Sequence, residues 1–242
     1  MNKINLLFFL LIGITLSCSS SEKKAKVFYF SQLQQTQYLL TNQISMKNRG
    51  LATGASSYLL ELYDSTYLVT AKHLTRDAMG FSPALDLETY SDSVNFWYGL
   101  SRTSQLSLEI IETTDLLYCD EIMDDLIMLR VKDKPKEIGI FQPNFKRLKK
   151  GDRVSIIACE YSDIGCNQKQ YFGTFQQYTV VDQMEVFMDS SNIEPAGMSG
   201  APVVDDQFKV VGHVLAGGVG DKGILKLYLA PIDLVKRIKL IN

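Results

Sequence analysis

Short apolar runs rich in Val, Ile, Tyr and Phe recur at intervals of about ten residues from Gly50 onward. The first two lie on either side of a turn at Asp64-Ser65, in "GASSYLLELYDSTYLVTAKH". The series continues with "SVNFWYGL", "LSLEIIETT", "DLIMLRV", "DRVSIIACEY", "YFGTFQQYTVV", "MEVFMDS", "APVVDD", "FKVVGHVLAG" and "ILKLYLAP". Strands this short predict an all-β protein, built as barrels or as a sandwich. The charged segment "KDKPKEIGIFQPNFKRLKKGD" interrupts the runs, and we interpret it as the connection between two halves.

Two further segments have apolar residues at helical spacing. "SQLQQTQYLLTNQISM", which precedes the strand series, predicts a short helix. "PIDLVKRIKLIN", at the end of the chain, predicts a terminal helix over about residues 231–241. The sequence therefore predicts strands throughout, with one helical segment before them and one after.

The first residues have the layout of an export signal. Lys3 is followed by an apolar run from Leu6 to Ile14, which is too short to cross a membrane as a helix. "TLSC", with "SSSEKK" after it, resembles a bacterial lipobox and implies that Cys18 is the lipidated first residue of the mature protein. We predict a signal peptide over residues 1–17, a polar tether over residues 18–32, and lipid anchoring to a bacterial membrane, on the periplasmic or surface side of the cell envelope. The alternative is a plain signal peptide cut nearby, with Cys18 lost or free.

Composition mainly excludes classes of protein. The 242 residues, 46% of them hydrophobic and 21% charged, suit one large domain or two subdomains that share a core, and we place this domain at residues 33–242. A net charge of −2 offers no basic face to nucleic acid. With His73 and His213 as its two histidines and no Cys-x-x-Cys pair, the chain predicts no zinc site, and we expect no cofactor.

Three cysteines follow Cys18, namely Cys119, Cys159 and Cys166. An exported chain meets an oxidising compartment, and an odd number of cysteines allows at most one bridge within the monomer. Cys159 and Cys166 flank "EYSDIG", a predicted connection between the strands "RVSIIAC" and "KQYFGTF". We predict a disulfide between these two, the alternative being two unpaired thiols in a loop.

Three residues of the types that acyl transfer requires lie at the ends of predicted strands. His73 ends "TYLVTAKHL", Asp125 begins "DLIMLRV", and Ser199 lies in the glycine-rich loop "NIEPAGMSGAPVVDD". A serine hydroxyl is a poor nucleophile alone, so it needs an imidazole to take its proton and a carboxylate to orient that imidazole. The pattern predicts a catalytic triad of His73, Asp125 and Ser199.

Asp124 and Asp125 are adjacent, so the choice between them rests on the alternation of side chains along a strand. Asp125 shares its face only with apolar residues of "DLIMLRV", whereas the face of Asp124 includes Arg130. A triad aspartate is buried, and the uniformly apolar face points inward. The alternation therefore favours Asp125.

The motifs "TAKH", "DDLIML" and "GMSGAP", in this order, resemble those of chymotrypsin-fold serine proteases, and most of all the bacterial trypsin-like and HtrA-type protease domains. "LKKGDRVSIIACEY" and "LYLAPIDLVKRI" also resemble parts of those domains, so the likeness extends over about residues 45–242. It implies two six-stranded antiparallel β-barrels, over about residues 45–135 and 146–230, with the terminal helix after them. It also implies a serine endopeptidase that hydrolyses peptide or protein substrates through an acyl-enzyme. Because the sequence ends at residue 242, we expect no PDZ domain.

The resemblance assigns further roles within the serine loop. The backbone amides of Gly197 and Ser199 would form the oxyanion hole, whose donors must be aimed in advance at the developing charge. Gly200 would keep the space behind the serine clear. Trypsin has an aspartate just before the serine, which pairs with the N-terminus freed by zymogen cleavage. Met198 stands there in this chain, so we expect a protease that needs no activation cleavage.

In this fold the primary substrate pocket is lined by the residue about six before the serine and by the strand after it. The corresponding residues here are Ile193, Val214, Leu215, Ala216 and Gly217. None of them is charged, and burying an unpaired charge is costly. The resemblance therefore implies a small or medium apolar side chain on the acyl side of the cleaved bond.

His213 lies one place before the position at which some glutamate-specific relatives use a histidine to receive the substrate carboxylate. An offset of one residue turns a side chain to the other face of a sheet. We therefore interpret His213 as a structural or partly exposed histidine, unless a bulge in the strand changes the register.

Two other functions are alternatives to the serine endopeptidase. An α/β-hydrolase esterase needs glycine at position 201, where the chain has Ala201, and its chain order is Ser, Asp, His. Only Asp205 and Asp206 lie between Ser199 and His213, which is too little chain to build that fold. The stronger alternative is a non-catalytic protease-fold lipoprotein, acting as a binding or envelope-stress interaction protein, since fold does not imply function.

Overall fold

The computed structural model describes most of the chain between residues 35 and 240. The described residues are 35–81, 85, 90–101, 109–118, 124–160, 162–163, 166–220 and 223–240. From Thr36 onward the chain forms one compact unit. Among the described residues, no helix has the length and apolar character needed to span a membrane. The predicted signal peptide, the polar tether, Cys18 and Cys119 all lie outside the described residues.

The N-terminal half of this unit is a nine-stranded sheet. Its strands are β1 (Leu39–Met46), β2 (Gly50–Leu62), β3 (Ser65–Thr70), β4 (Val94–Leu100), β5 (Ile110–Ile111), β6 (Thr113–Tyr118), β7 (Ile127–Val131), β8 (Ile140–Phe141) and β15 (Lys239–Leu240). The order along the sheet is β15-β6-β7-β3-β2-β1-β4-β5, and β8 pairs in parallel with β2. Its core includes the buried residues Leu40, Ile44, Leu59, Leu68, Trp97, Ile127 and Leu129.

The first sheet curls on itself at one residue. β5 and β6 are separated only by Glu112, yet β5 pairs with β4 and β6 pairs with β7. β5 is the last strand in the order along the sheet and β6 is the second, so a single residue carries the chain from one edge of the sheet almost to the other. Because the hydrogen-bond ladder is interrupted there, this half is a curled open sheet in the described part of the chain. Where the resemblance implies a six-stranded barrel, the described residues of this half form a half-barrel sheet, which is consistent with the chymotrypsin fold.

The C-terminal half is a closed barrel of six antiparallel strands, in the order β10-β11-β14-β13-β12-β9. The strands are β9 (Arg153–Ala158), β10 (Lys169–Tyr178), β11 (Met184–Met188), β12 (Pro202–Val204), β13 (Val210–Val219) and β14 (Leu225–Pro231). Its interior includes the buried residues Val154, Ile156, Phe175, Val186, Val203, Leu227 and Leu229. Together the two halves confirm the predicted all-β fold of the chymotrypsin type.

The predicted terminal helix over residues 231–241 is confirmed only in part. A 3₁₀ helix covers Ile232–Arg237, Ile238 is extended, and β15 then pairs with β6. The open edge of β6 offers unpaired backbone groups, and pairing with them satisfies the last residues better than an unsupported helix would. The other helical segments named within the described residues are short: 3₁₀ turns at Lys72–Thr75 and Asp77–Met79, and an α-helical turn at Tyr90–Ser93.

The predicted helix before the strand series is wrong, because much of that segment forms β1. β1 pairs with β2 on one side and with β4 on the other. A strand in the middle of a sheet buries side chains on both faces, so its apolar pattern loses the simple alternation that identifies an exposed strand. Six of its eight residues are buried, which explains why the pattern resembles a helix.

Candidate active site

His73 lies where β3 leaves the first sheet. The strand ends at Thr70, Ala71 is still extended, and a 3₁₀ turn begins at Lys72. This tight turn ends the ladder and directs the imidazole out of the sheet. The His73 side chain is 29% exposed, so the ring is held by the protein on one side and open to solvent on the other.

Asp125 binds His73 at two points. Its Oδ2 lies 2.5 Å from Nδ1 of the imidazole, and its Oδ1 accepts the backbone N–H of His73 at 2.8 Å. Burial alone raises the pKa of the Asp125 carboxyl, but the hydrogen bonds and positive charge from His73 outweigh burial and lower that pKa below its ordinary value. The carboxylate is therefore ionised at neutral pH and fixes the orientation of the imidazole.

The neighbouring carboxylate has a different partner. Both oxygens of Asp124 accept from Nη1 of Arg237 at 3.2 Å, which joins the first sheet to the C-terminal 3₁₀ helix. The two adjacent aspartates thus have different partners, and only Asp125 reaches an imidazole. Asp124 is the more buried of the two, so the predicted residue is the one that bonds His73, but burial does not distinguish it as the alternation of side chains predicts.

Ser199 lies in the loop between β11 and β12, where the backbone turns sharply. Gly197 and Gly200 both have φ of +82°, a conformation that side chains with a Cβ rarely adopt. The Ser199 hydroxyl donates to the backbone oxygen of Leu215 at 3.2 Å. Among the described residues it has no hydrogen bond to His73. The structure therefore shows the His73–Asp125 pair bonded and the serine hydroxyl bonded elsewhere.

A residue of the first sheet, Ser56 in β2, holds the serine loop in place. Its N–H donates to the backbone oxygen of Ser199 at 2.8 Å, and its hydroxyl donates to that of Gly197 at 3.1 Å. Its own carbonyl accepts from Thr70 Oγ1 at 2.7 Å and from the Asn42 amide at 3.0 Å. Since Thr70 lies three residues before His73, Ser56 connects the serine loop to the strand that carries the histidine.

Close packing at Gly200 brings the same elements together. A Cβ at this position would lie 2.1 Å from the backbone oxygen of Ser56 and 2.5 Å from Thr70 Oγ1. Real Cβ atoms do not approach other atoms so closely, so only glycine fits between the serine and the first sheet. Gly200 is therefore required by space as well as by its backbone conformation.

Along residues 197–201 of the serine loop, the backbone amides divide into two groups. Those of Met198, Gly200 and Ala201 donate to the carbonyls of Pro195, Val214 and Met198 respectively. Those of Gly197 and Ser199 have no acceptor among the residues that the structure describes. The two amides that the resemblance assigns to an oxyanion hole are thus the two left available for a substrate oxygen.

The residues predicted to line the substrate pocket fall into two environments. Ile193 and Val214 are buried in the core of the second barrel, and Leu215 is also buried. Ala216 and Gly217 are exposed on β13. A Cβ added to Gly217 would lie 2.9 Å from Cβ of Pro195, so the loop and β13 approach each other closely there.

His213 is a buried residue of β13, with no exposed surface. Its Nε2 lies 2.8 Å from the backbone oxygen of Asp125, so the ring faces the first sheet. The pairing of β13 with β14 does shift register, but between Val214 and Ala216, after this position. The structural interpretation of His213 therefore fits, and the alternative of partial exposure does not.

Comparison with known proteins identifies the family of the chain. Residues 60–212, more than half of the chain, match the family model of the trypsin-like peptidase domain. The chain belongs to the trypsin-like peptidase family. No curated protein sequence matches it. The matched residues include His73, Asp125 and Ser199.

Solved structures of serine proteases share the fold. The chain is similar to Deg5, at 16% identity over 89% of this chain and 92% of that one, with a TM-score of 0.55. It is also similar to the serine endoprotease from Yersinia pestis, at 17% identity over 86% of this chain and 64% of that one, with a TM-score of 0.56. For the thermostable serine protease AL20 from an extremophilic microorganism, the identity is 10%, the coverages are 85% and 96%, and the TM-score is 0.58. At these identities the likeness shows the fold.

In this trypsin-like peptidase, Cys159 and Cys166 form a disulfide at the end of β9. Gln168, two residues later, accepts the backbone N–H groups of Tyr38 and Leu39 at 2.9 and 3.1 Å. The bridged loop therefore supports the residue that ties the start of β1 to the second barrel.

Sequence reasoning missed two residues of the site, Ser56 and Pro195. Ser56 acts through backbone groups of residues 141 and 143 positions away along the chain, and no local pattern reveals such a partner. Pro195 offered a weak signal, because it lies two residues after Ile193 in the segment assigned to the pocket.

Proposed function

We propose that this trypsin-like peptidase is a serine endopeptidase that uses Ser199 as nucleophile, His73 as general base and Asp125 to orient His73. The observation that carries the proposal is the pair of hydrogen bonds that joins Asp125 to the imidazole and to the backbone N–H of His73. Ser56 and Gly200 connect the Ser199 loop to the first sheet, whose strand β3 leads to His73. An aspartate bonded to Nδ1 leaves Nε2 as the imidazole atom available to take a proton. That is the arrangement a serine nucleophile requires.

The reaction begins with a rotation of the Ser199 side chain. A turn about the Cα–Cβ bond moves a serine hydroxyl between staggered positions, and catalytic hydrogen bonds are often poorly aligned before substrate binds. In the proposed mechanism the hydroxyl leaves the Leu215 carbonyl and donates to Nε2 of His73. A peptide substrate that binds along β13 would favour this rotation, because its N–H groups would compete with the Ser199 hydroxyl for the backbone carbonyls of that strand.

Attack of Ser199 Oγ on the substrate carbonyl carbon then transfers the hydroxyl proton to His73. The negative charge that develops on the carbonyl oxygen is stabilised by hydrogen bonds that the backbone amides of Gly197 and Ser199 donate to it. The imidazolium, stabilised by Asp125, gives its proton to the leaving amine, and the peptide bond breaks to leave an acyl-enzyme. Water, activated by the same imidazole, hydrolyses the ester and restores the serine.

The substrate side chain on the acyl side is proposed to be small and apolar. None of the described residues assigned to the pocket is charged, and Glu194, beside Ile193, is exposed. The approach of Pro195 to Gly217 narrows the space between the loop and β13. Selectivity should be modest, because a difference of one methylene is worth about 1–3 kcal/mol.

The test is hydrolysis of a peptide library by the purified protein, its Ser199→Ala variant and Ser191→Ala as a matched control at an exposed serine of the same loop. We expect cleavage after small apolar residues, full activity in the control, and loss of several orders of magnitude in Ser199→Ala. Undiminished hydrolysis by Ser199→Ala would overturn the mechanism. A strong preference for Arg, Lys or Glu would overturn the assignment of the pocket.

We also propose that the protein is a lipoprotein anchored through Cys18. The support is the sequence alone: the signal-like first residues, the lipobox-like "TLSC" and the polar segment that follows. Two or three acyl chains hold a protein firmly on a membrane, whereas one does not. Membrane fractionation of Cys18→Ala tests this, because the variant should be recovered in the soluble fraction. Recovery of the variant on the membrane would contradict the proposal.

A further inference from the structure

His213 is a second histidine beside the proposed triad that the reaction does not use. Its backbone pairs with Pro202 of β12 and Ala230 of β14, so it lies on an inner strand of the second barrel. Its ring is fully buried and reaches across to the N-terminal half of the protein, where Nε2 lies 2.8 Å from the carbonyl oxygen of Asp125. One side chain therefore joins the second barrel to the backbone of the proposed orienting aspartate.

The bond determines the tautomer of His213. A carbonyl oxygen only accepts hydrogen bonds, so Nε2 must carry the hydrogen. Nδ1 is buried and has no partner among the described residues. In a neutral ring Nδ1 bears only a lone pair, whereas protonation would bury both a charge and an unpaired N–H group. The geometry therefore favours a neutral ring with its hydrogen on Nε2.

Two titratable groups affect His213, the Asp125 carboxylate and the His73 ring. The neighbours that pair with it from β12 and β14, Pro202 and Ala230, do not titrate. Burial is the largest effect and lowers the pKa of His213; Asp125 opposes it and His73 adds to it. The charges around the ring therefore do not reverse the preference for the neutral form.

Asp125 needs such a support because it lies outside the sheet. β7 begins at Ile127, so the ladder between β3 and β7 starts two residues after Asp125. Its side chain is held by His73, but the bond between its backbone and His213 comes from the opposite half of the protein. A shift of this backbone would move both carboxylate oxygens relative to the His73 ring.

We propose that His213 is a positioning residue, which holds the backbone of Asp125 across the two halves of the protein so that the carboxylate meets His73 in the required geometry. The catalytic consequence rests on the proposed endopeptidase function, but the effect on the His73–Asp125 bond does not. A misplacement of about 1 Å in a catalytic group costs up to roughly a hundredfold in rate. We therefore expect loss of the His213 bond to lower kcat by about ten- to a hundredfold, with little change in KM.

The experiment compares wild type, His213→Gln and His213→Leu. The Gln amide nitrogen reaches about as far as Nε2 and can donate to the same carbonyl, whereas Leu fills similar space without a donor. The first readout is the low-field proton NMR resonance of the hydrogen between His73 Nδ1 and Asp125, which requires no activity. We expect it in wild type and His213→Gln, and expect it shifted or lost in His213→Leu. The second readout is kcat and KM, with kcat restored at least in part by Gln.

A third readout uses the wild-type chain, so the proposal stays testable even where the Leu variant does not fold. Nitrogen-15 NMR of the imidazoles should show His213 neutral at pH 7 with its hydrogen on Nε2. A hydrogen on Nδ1, a charged ring at pH 7, or an unchanged resonance and kcat in folded His213→Leu would each overturn the proposal. A wild-type chain with the expected resonance but no hydrolysis would contradict the endopeptidase function and leave the positioning role supported.

Discussion

Replacing each of the two adjacent aspartates by asparagine separates catalysis from stability. The changes are nearly isosteric and lie one residue apart, so each serves as the matched control for the other. Asp125→Asn places an amide where the carboxylate accepts from Nδ1 of His73. An amide NH₂ group in that place drives the imidazole hydrogen to Nε2, where it blocks transfer of the serine proton.

The two effects differ in kind and in size. For Asp125→Asn we expect kcat to fall by about 10⁴-fold, the loss found when a triad carboxylate is replaced by an amide. That corresponds to about 5 kcal/mol of transition-state stabilisation. For Asp124→Asn the loss is an ion pair with Arg237, whose side chain is 52% exposed. The Asp124 side chain is only 9% exposed, but its partner lies half in solvent, so we expect the pair to contribute about 1 kcal/mol to the free energy of unfolding and nothing to proton transfer.

The assays are kcat/KM on a peptide substrate and urea unfolding of both variants and the wild type. We expect Asp124→Asn to retain wild-type kcat/KM with a slightly lower unfolding midpoint, and Asp125→Asn to remain folded with almost no activity. Equal losses of kcat/KM in the two variants would refute the separation of roles. Wild-type kcat/KM in Asp125→Asn would refute the role of the His73–Asp125 pair.

Three other results are expected. Gly200→Ala should lower the free energy of unfolding in urea by about 2–5 kcal/mol and remove activity, because it adds backbone strain and overlaps with the first sheet. Gly50 has the same φ of +82° but open space around it, so Gly50→Ala should show the strain alone. Equal losses of unfolding free energy in the two variants would exclude the overlap. Replacing Cys159 and Cys166 by Ala should lower the unfolding free energy by about 2.5 kcal/mol, and a smaller loss than 1 kcal/mol would count against a bridge in the folded protein. Burial lowers the pKa of His213 from its ordinary 6.5. The contribution of the neutral ring to the free energy of unfolding is therefore complete above pH 6.5 and is lost as the pH falls through the lowered pKa. His213→Gln should lose stability less steeply in acid than wild type, and an equally steep loss would contradict this.

The sequence predicted the elements whose patterns are local. Short β-rich runs gave the all-β fold, and the strand ends at His73, Asp125 and Ser199 gave the candidate site. The alternation of side chains along the strand selected Asp125, the residue that hydrogen-bonds His73. The other face of β7 is also buried, at Met128, so the two faces differ less in burial than the sequence pattern suggests.

The elements that were missed depend on partners distant in sequence. β1 looked helical because strands on both sides bury it, and the final residues form β15 only because β6 leaves an edge unpaired. The role of Ser56 rests on hydrogen bonds to Gly197 and Ser199, which no spacing along the chain reveals. The bond between His213 and Asp125 likewise exists only once the two halves are packed.

The most direct test of the catalytic site is labelling by a fluorophosphonate probe, which reacts with a serine activated by a neighbouring base. The full chain, Ser199→Ala and His73→Ala would be incubated with the probe, and the modified peptide mapped by mass spectrometry. We predict labelling at Ser199 in wild type, and none in either variant. An unlabelled wild type, or labelling of His73→Ala at the wild-type rate, would contradict an assembled serine protease site.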